Sequence, residues 1–223
     1  MCGRFSLITI SEFLSNRFNV TIEEELVPRY NIAPSQNIPI ITNVNPGKLI
    51  MARWGLVPHW AKDKSVGYSM INARAETLLE KSSYKMPFQR QRCLIPADGF
   101  YEWKKTDTKK VPYRITLKDQ KVFAFAGIYD IWKTEEEELL SCSIITTTPN
   151  RLVAQIHDRM PAILRQEHER LWLAETPVAR LSEVALVPYP PEQMKSEQIS
   201  ELINSPKNDS VEVIKPVKSL LDF

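Results

Sequence analysis

The sequence predicts an α+β fold, organised as a single domain over residues 1–223. Three observations carry this expectation. Successive apolar runs are joined by short polar turns, which favours antiparallel pairing. Helical patterns interrupt those runs without the regular βαβ alternation of a parallel sheet. No internal repeat or long linker divides the chain.

The elements follow in order. Thr9 and Glu12 have the spacing of a capping box and predict a short helix turning Phe13, Leu14 and Phe18 inward. Pro28 and Pro34 bracket an extended, turn-rich Arg29–Ala33. Ile38–Val44 and Lys48–Trp54 read as two strands around the turn Asn45-Pro46-Gly47. A polar loop then leads through Met70-Ile71-Asn72-Ala73 into a predicted helix from about Arg74 to Lys81, and Tyr84–Arg92 is basic and aromatic. Strands are predicted at Cys93–Pro96, Phe100–Lys104, Val111–Leu117, Lys121–Tyr129 and Leu139–Thr147, with Asp98-Gly99 as a turn and Glu135–Glu138 as a solvated loop. Pro149 suits the first turn of a helix reaching about His157. Further helices are expected at Glu167–Ala174 and Glu192–Ile203, then an edge strand Val211–Lys218 containing Pro216.

Composition narrows the function class. Apolar content of 43% and charged content of 25% are ordinary for a soluble globular protein. Apolar runs such as Val122–Ile131 fall far short of the ~20 residues of a membrane span, and the N-terminus carries no basic-then-apolar signal pattern. A cytoplasmic protein without membrane attachment is expected. The net charge of +2 is unevenly spread, with 20 Lys+Arg against 12 Asp+Glu in residues 1–133 and 9 against 15 in residues 134–223. A basic first part can form a phosphate-binding face despite a near-neutral total. The three cysteines, Cys2, Cys93 and Cys142, and the three histidines, His59, His157 and His168, lack metal-ligand spacing. Neither a metal nor a cofactor is expected, and Cys93 and Cys142 read as core residues.

The stretch with unusual chemistry is Met1-Cys2-Gly3-Arg4. Methionine is generally removed before a small second residue, which would leave Cys2 with a free α-amine and a free thiol on adjacent carbons. An α-amine has a reference pKa of ~7.7–8.0, so a useful fraction is neutral at physiological pH. It can condense with an aldehyde to an imine, and the thiol can then close a five-membered thiazolidine. A terminal cysteine can equally be a frayed end. Asn72, Glu102 and His157 are the other candidates, and each has a structural alternative. Asn72 can cap a helix, Glu102 can lie on the exposed face of a strand, and His157 can complement a helix C-terminus. The two tryptophans flanking the Pro58 turn, Trp54 and Trp60, can be core plugs, or one can stack on a base.

Six blocks resemble the SOS-response-associated peptidase (SRAP) family of abasic-site processing proteins. They are Cys2–Phe5, Pro28–Pro34, Arg53–Pro58, Ile71–Thr77, Arg92–Trp103 and Ile156–Pro161, in family order. The resemblance implies a mostly antiparallel twisted sheet or barrel-like core with flanking helices. It also implies covalent capture of the abasic aldehyde in single-stranded DNA by Cys2. Asn72 matches the residue that holds sugar or cysteine, and Glu102 and His157 match the acid/base pair. Arg4, Arg74 and Arg159, each within two residues of a site position, are expected to contact phosphates. Trp54 and the Asn31–Pro34 segment, with Asn31 and Pro34 at its ends, are expected to stack on or wedge beside bases. The partner expected is single-stranded DNA with abasic sites, bound by a monomer. The family name also implies a thiol peptidase that can remove its own Met1. Two alternatives remain, a thiol peptidase acting on other proteins and a non-covalent single-stranded-DNA module.

Overall fold

The structure, a computed structural model, describes residues 2–185 and 187–217. Its strands are β1 (Phe5–Leu7), β2 (Arg29–Ile32), β3 (Asn37–Thr42), β4 (Asn45–Trp54), β5 (Asn72–Arg74), β6 (Arg92–Ala97), β7 (Gly99–Lys105), β8 (Lys110–Leu117), β9 (Phe123–Lys133), β10 (Glu138–Thr147), β11 (Met160–Pro161), β12 (Ile163–Leu164) and β13 (Met194–Gln198). Four α-helices accompany them among the described residues: α1 (Ser11–Phe18), α2 (Ser82–Arg90), α3 (Gln166–Leu173) and α4 (Val178–Ala185). The α+β class is as expected.

The pairing closes a barrel. β3 pairs with β4 and β6, β6 with β9, and β9 with β10, all antiparallel, and β10 returns to β4 in parallel. Closure removes the free edges of those five strands. A second sheet, ordered β13-β8-β7-β1-β2, packs beside it. Phe5 of β1 reaches into the shared core, edge-on to Trp54 at 5.2 Å and to Phe125 at 5.7 Å. Burying such a side chain contributes roughly 1.5–3 kcal/mol, which anchors the start of the chain. Gly55 (φ +128°) turns the chain out of β4. A Cβ there would lie 2.6 Å from Gly67 O, so glycine is required for residues 55 and 67 to pass this closely.

Several sequence expectations are corrected. The Thr9 capping box does not form. The helix begins after Ile10 without a side-chain cap, because the Asp98 carboxylate accepts from Ile8 N and lies 3.4 Å from Thr9 Oγ1. Leu14 is buried as expected, but Phe13 is exposed. Residues 74–81 are not a helix, because β10 recruits Asn72–Arg74 as a parallel strand. A 3-10 turn at Ala75–Thr77 follows, and the helix lies at Ser82–Arg90, within the basic-aromatic stretch. The helix expected after Pro149 shrinks to a 3-10 turn at Val153–Gln155. Asn150 Oδ1 accepts from Leu152 N and Val153 N, which starts the turn late. The helix expected over Glu192–Ile203 is instead β13 between two 3-10 turns, since β8 offers an edge to pair with. Val211–Ile214 is a 3-10 turn rather than a strand. Pro216 makes an isolated bridge to Ile199, and residue 218 lies outside the described residues. α4 has no counterpart among the sequence expectations.

Candidate active site at the N-terminus

The second sheet holds Cys2 in place. Phe5 lies opposite Phe100 and Ser6 opposite Gly99. Continuing that register puts Arg4 beside Tyr101, whose N–H donates to Arg4 O at 3.0 Å. The next step back brings Glu102 alongside the Gly3–Cys2 end. Cys2 is fully buried, with its thiol 3.8 Å from Arg4 O. Burial, reinforced by the Glu102 charge, pushes the Cys2 thiol far above its ordinary value. It is therefore held as a thiol, not a thiolate, at neutral pH.

β10 supplies the other wall. Its Ile144–Thr146 stretch pairs with Asn72–Arg74, and Thr146-Thr147 pairs with Pro161-Met160 beyond the loop carrying His157. Asn72 does not cap a helix. Its Nδ2 donates to Cys2 O at 2.7 Å, and its Oδ1 is buried without a partner among the described residues. Buried Tyr84 on α2 supports it from behind, donating to Asn72 O at 3.2 Å.

Glu102 is 2% exposed, so it does not sit on a solvated strand face. Burial pushes its carboxyl up to about 7, and the nearby Asp158 charge adds to the rise. Its Oε2 lies 3.8 Å from His157 Nε2. Two contacts compete for His157 Nδ1, the Arg159 N–H at 3.1 Å and the Asp158 carboxylate at 2.9 Å. A backbone N–H can only donate, and Asp158 is well solvated, so Nδ1 is the acceptor. The neutral ring then carries its proton on Nε2, on the Glu102 side. Burial also lowers the His157 pKa, which favours this neutral form. Cys2, Asn72, Glu102 and His157, far apart in the sequence, thus line one site. His157, with its side chain 28% exposed, is the wetted member of the Glu102–His157 pair.

The family model described as SOS response associated peptidase (SRAP) matches residues 1–206. The chain belongs to the SRAP family. Abasic site processing protein YoqW of Bacillus subtilis (strain 168) is 50% identical, with 96% of this chain and 99% of that protein covered. Abasic site processing protein HMCES of Xenopus tropicalis is 30% identical over 85% of this chain and 66% of its own length. A solved structure of a protein from Bacteroides thetaiotaomicron has a TM-score of 0.90 at 30% identity, covering 97% of this chain and all of that one.

The remaining positions of the SRAP blocks separate into surface and scaffold. Arg74 is exposed. Arg159 is an internal ion pair, bidentate to Glu76 at 2.7 and 2.9 Å and bonded to Thr146 O at 2.6 Å. That pair holds Glu76 below the usual carboxylate range. Arg4 Nη1 donates to Asn31 Oδ1 at 2.6 Å and to Ile203 O at 2.8 Å. Asn31 is fully buried, so it offers no edge to a base. Pro34 is half-buried in a turn whose next residue, Ser35, has φ +71°. Trp54 is a core plug and not a stacking surface. It is fully buried, faces the barrel interior, and donates from Nε1 to Ile71 O at 2.9 Å, next to Asn72. Trp60 across the Pro58 turn is 55% exposed, so of the two tryptophans it is the one available to a base. Side-chain burial separates that pair, and no local sequence signal did. Tyr84 carries no sequence signal as a site residue, because its link to Asn72 is tertiary.

Proposed function

We propose that this SRAP protein processes abasic sites in DNA, capturing the ring-opened aldehyde in single-stranded DNA as a thiazolidine on Cys2. The observation that carries the reading is the convergence of buried Cys2 with the Asn72 amide, the buried Glu102 carboxyl and the His157 imidazole, residues far apart in the sequence; removal of Met1 would add a free α-amine to this group. The likeness to abasic site processing proteins supports the substrate. On this reading residues 1–223 act as one domain after Met1 is lost. The protein works as a monomer in the cytoplasm, on the nucleoid when bound to DNA.

Each group has a step suited to it. His157 Nε2–H protonates the sugar ring oxygen as the C1′ hydroxyl gives up its proton, which opens the ring. Glu102 takes a proton from the Cys2 ammonium, and the free amine adds to C1′. Glu102 then returns a proton to the carbinolamine hydroxyl, which leaves as water and gives the imine. The thiol adds across C=N, forming the S–C bond while its proton passes to nitrogen. Aldehyde and aminothiol thus give thiazolidine and one water. A carboxyl with a pKa of about 7 is present in both forms at neutrality, as a group that first accepts and later donates requires. Asn72 holds the Cys2 carbonyl and keeps an acceptor for the substrate without titrating.

Exposed Arg74 contacts a phosphate, and exposed Trp60 stacks on a base further along the bound strand, while Arg4 and Arg159 brace the walls of the site through Asn31 and Glu76. Before capture, Cys2 with Glu102 can free its own amine. Thiol attack on the Met1 carbonyl would move the acyl group to sulfur, and water would then release methionine. This is the thiol-peptidase side of the family name, directed at the chain itself.

The test is a denaturing gel of protein shown by intact mass to begin at Cys2, mixed with single-stranded DNA bearing one abasic site. A heat-stable shifted band is expected, and Cys2→Ala should give none while still binding the DNA. No band from protein beginning at Cys2 would overturn the covalent reading.

A further inference from the structure

The segment after β13 closes on itself. It leaves the sheet at Ile199 and returns at Pro216, which bridges to Ile199, while Val217 N donates to Gln198 O at 3.0 Å. Between these points it lies across β7 and β2 as a compact surface loop. Ile199, Ile203 and Val213 are buried against Tyr101, next to Glu102. Trp103 Nε1 donates to Asn204 Oδ1 at 2.7 Å.

Its polar contacts converge on two residues. The Asp209 carboxylate accepts from Tyr30 N at 2.5 Å, from Asn31 N at 2.9 Å and from Arg29 Nε. The Asn31 amide donates to the carbonyls of Ile203 at 3.3 Å, Ser205 at 3.0 Å and Asn208 at 2.7 Å. With its donors so engaged, Asn31 presents Oδ1 to Arg4 Nη1, and Ile203 O accepts from the same nitrogen. The Arg4 guanidinium is thus gripped from the strap, while its backbone oxygen takes the Tyr101 N–H and faces the Cys2 thiol.

We propose that this C-terminal strap is a working part of the N-terminal capture site, with Asp209 as a positioning residue that acts through Asn31 on Arg4 and so on Cys2. This rests on the capture reading above. The Asp209 carboxylate is bonded to Arg29, Tyr30 and Asn31 of β2 and takes no step in the capture chemistry. It locks β2 and the strap in the one register that aims Asn31 Oδ1 at Arg4, and misplacing a reacting group by ~1 Å can reduce a rate by as much as 10²-fold.

The experiment is a double-mutant cycle on single-turnover crosslinking at saturating abasic DNA, below the melting temperature of every variant. Asp209→Asn is expected to slow adduct formation roughly tenfold, and Asp209→Glu to recover part of that loss. Asp209→Asn combined with Arg4→Ala should be no slower than Arg4→Ala alone, because both changes remove the same grip. A merely structural Asp209 would instead give additive losses. If Asp209→Asn does not fold, Arg29→Gln loosens the same carboxylate and carries the same cycle. Wild-type rates from the Asp209 variant, or additive losses, would overturn the inference while leaving capture intact. No adduct from the wild type would overturn the capture reading and this inference with it.

Discussion

Replacing Glu102 by glutamine should make the protein more stable and nearly inactive. The carboxyl is 2% exposed on β7, and burial pushes it from 4.5 up to about 7. Between those values the folded chain keeps a proton that the unfolded chain has released. This raised group therefore contributes stability that is fully present below the unfolded value and is lost as pH rises through about 7. The gap corresponds to on the order of 3 kcal/mol. A neutral amide in this position has no charge to bury, so the Glu102→Gln variant should lack this loss and be more stable than wild type at pH 8 by up to ~3 kcal/mol. For a chain of this length that is a rise of roughly 6–12 °C in Tm. Adduct formation should fall by about 10²–10⁴-fold with the loss of a positioned acid/base. Urea unfolding of both proteins at pH 5, 6, 7 and 8 measures the difference directly. His157, whose folded pKa is lowered, contributes stability that is lost as pH falls, so the comparison is read at pH 7 and 8, where that loss is smallest. Parallel stability curves for the two proteins would refute the claim that the fold carries Glu102 at an energetic cost.

Other perturbations separate the roles within the site. Asn72→Ala should slow crosslinking about tenfold or more and destabilise the fold by roughly 1–2 kcal/mol through the lost bond to Cys2 O, read by single-turnover kinetics and chemical denaturation. Trp54→Ala should destabilise by about 3–5 kcal/mol through the cavity left in the barrel, measured as a fall in Tm. Trp60→Ala should leave Tm nearly unchanged and weaken binding to single-stranded DNA by about 1–3 kcal/mol, read by fluorescence anisotropy. Arg74→Ala should reduce the salt-dependence slope of that binding by about 0.7, the value for one phosphate contact on a single strand.

Strand alternation and turn chemistry made much of the sheet legible, because a period of two and a punctuating Gly, Pro or Asp are local signals. Val111–Leu117 and the Asp98-Gly99 turn are of this kind, and the structure has them within a residue or two. What failed depends on partners far along the chain. Residues 72–74 look like the approach to a helix until β10 takes them into a parallel ladder, and residues 194–198 look helical until β8 offers an edge. Thr9 has a capping-box partner at the right spacing, yet Asp98, remote in sequence, competes for it. The site divides in the same way. Cys2 stands out by its position alone, whereas Asn72, Glu102 and His157 carry no local sign and came from the family resemblance. Asn31 sits in a family block, but only its burial shows that it grips Arg4 and the strap.

On the capture reading, Cys2 works at a chain terminus once Met1 is lost, where only one side of it is tethered. The fold answers with three restraints. β1 begins at Phe5 and is inserted between β7 and β2 instead of lying at an edge, so the chain is fixed three residues after Cys2. Phe5 plugs the junction with the barrel. Asn72 then bonds the Cys2 carbonyl from the opposite wall. Each of these three acts on the backbone or on Phe5 and not on Sγ, so on the capture reading the reacting groups of Cys2 would be held in a preorganised site. Freeing Phe5 should therefore affect capture beyond its effect on stability. Phe5→Ala, compared with a similarly destabilising change remote from the site such as Leu181→Ala on α4, is expected to lose considerably more crosslinking rate at matched fraction folded. Equal losses would mean that anchoring contributes only through global stability.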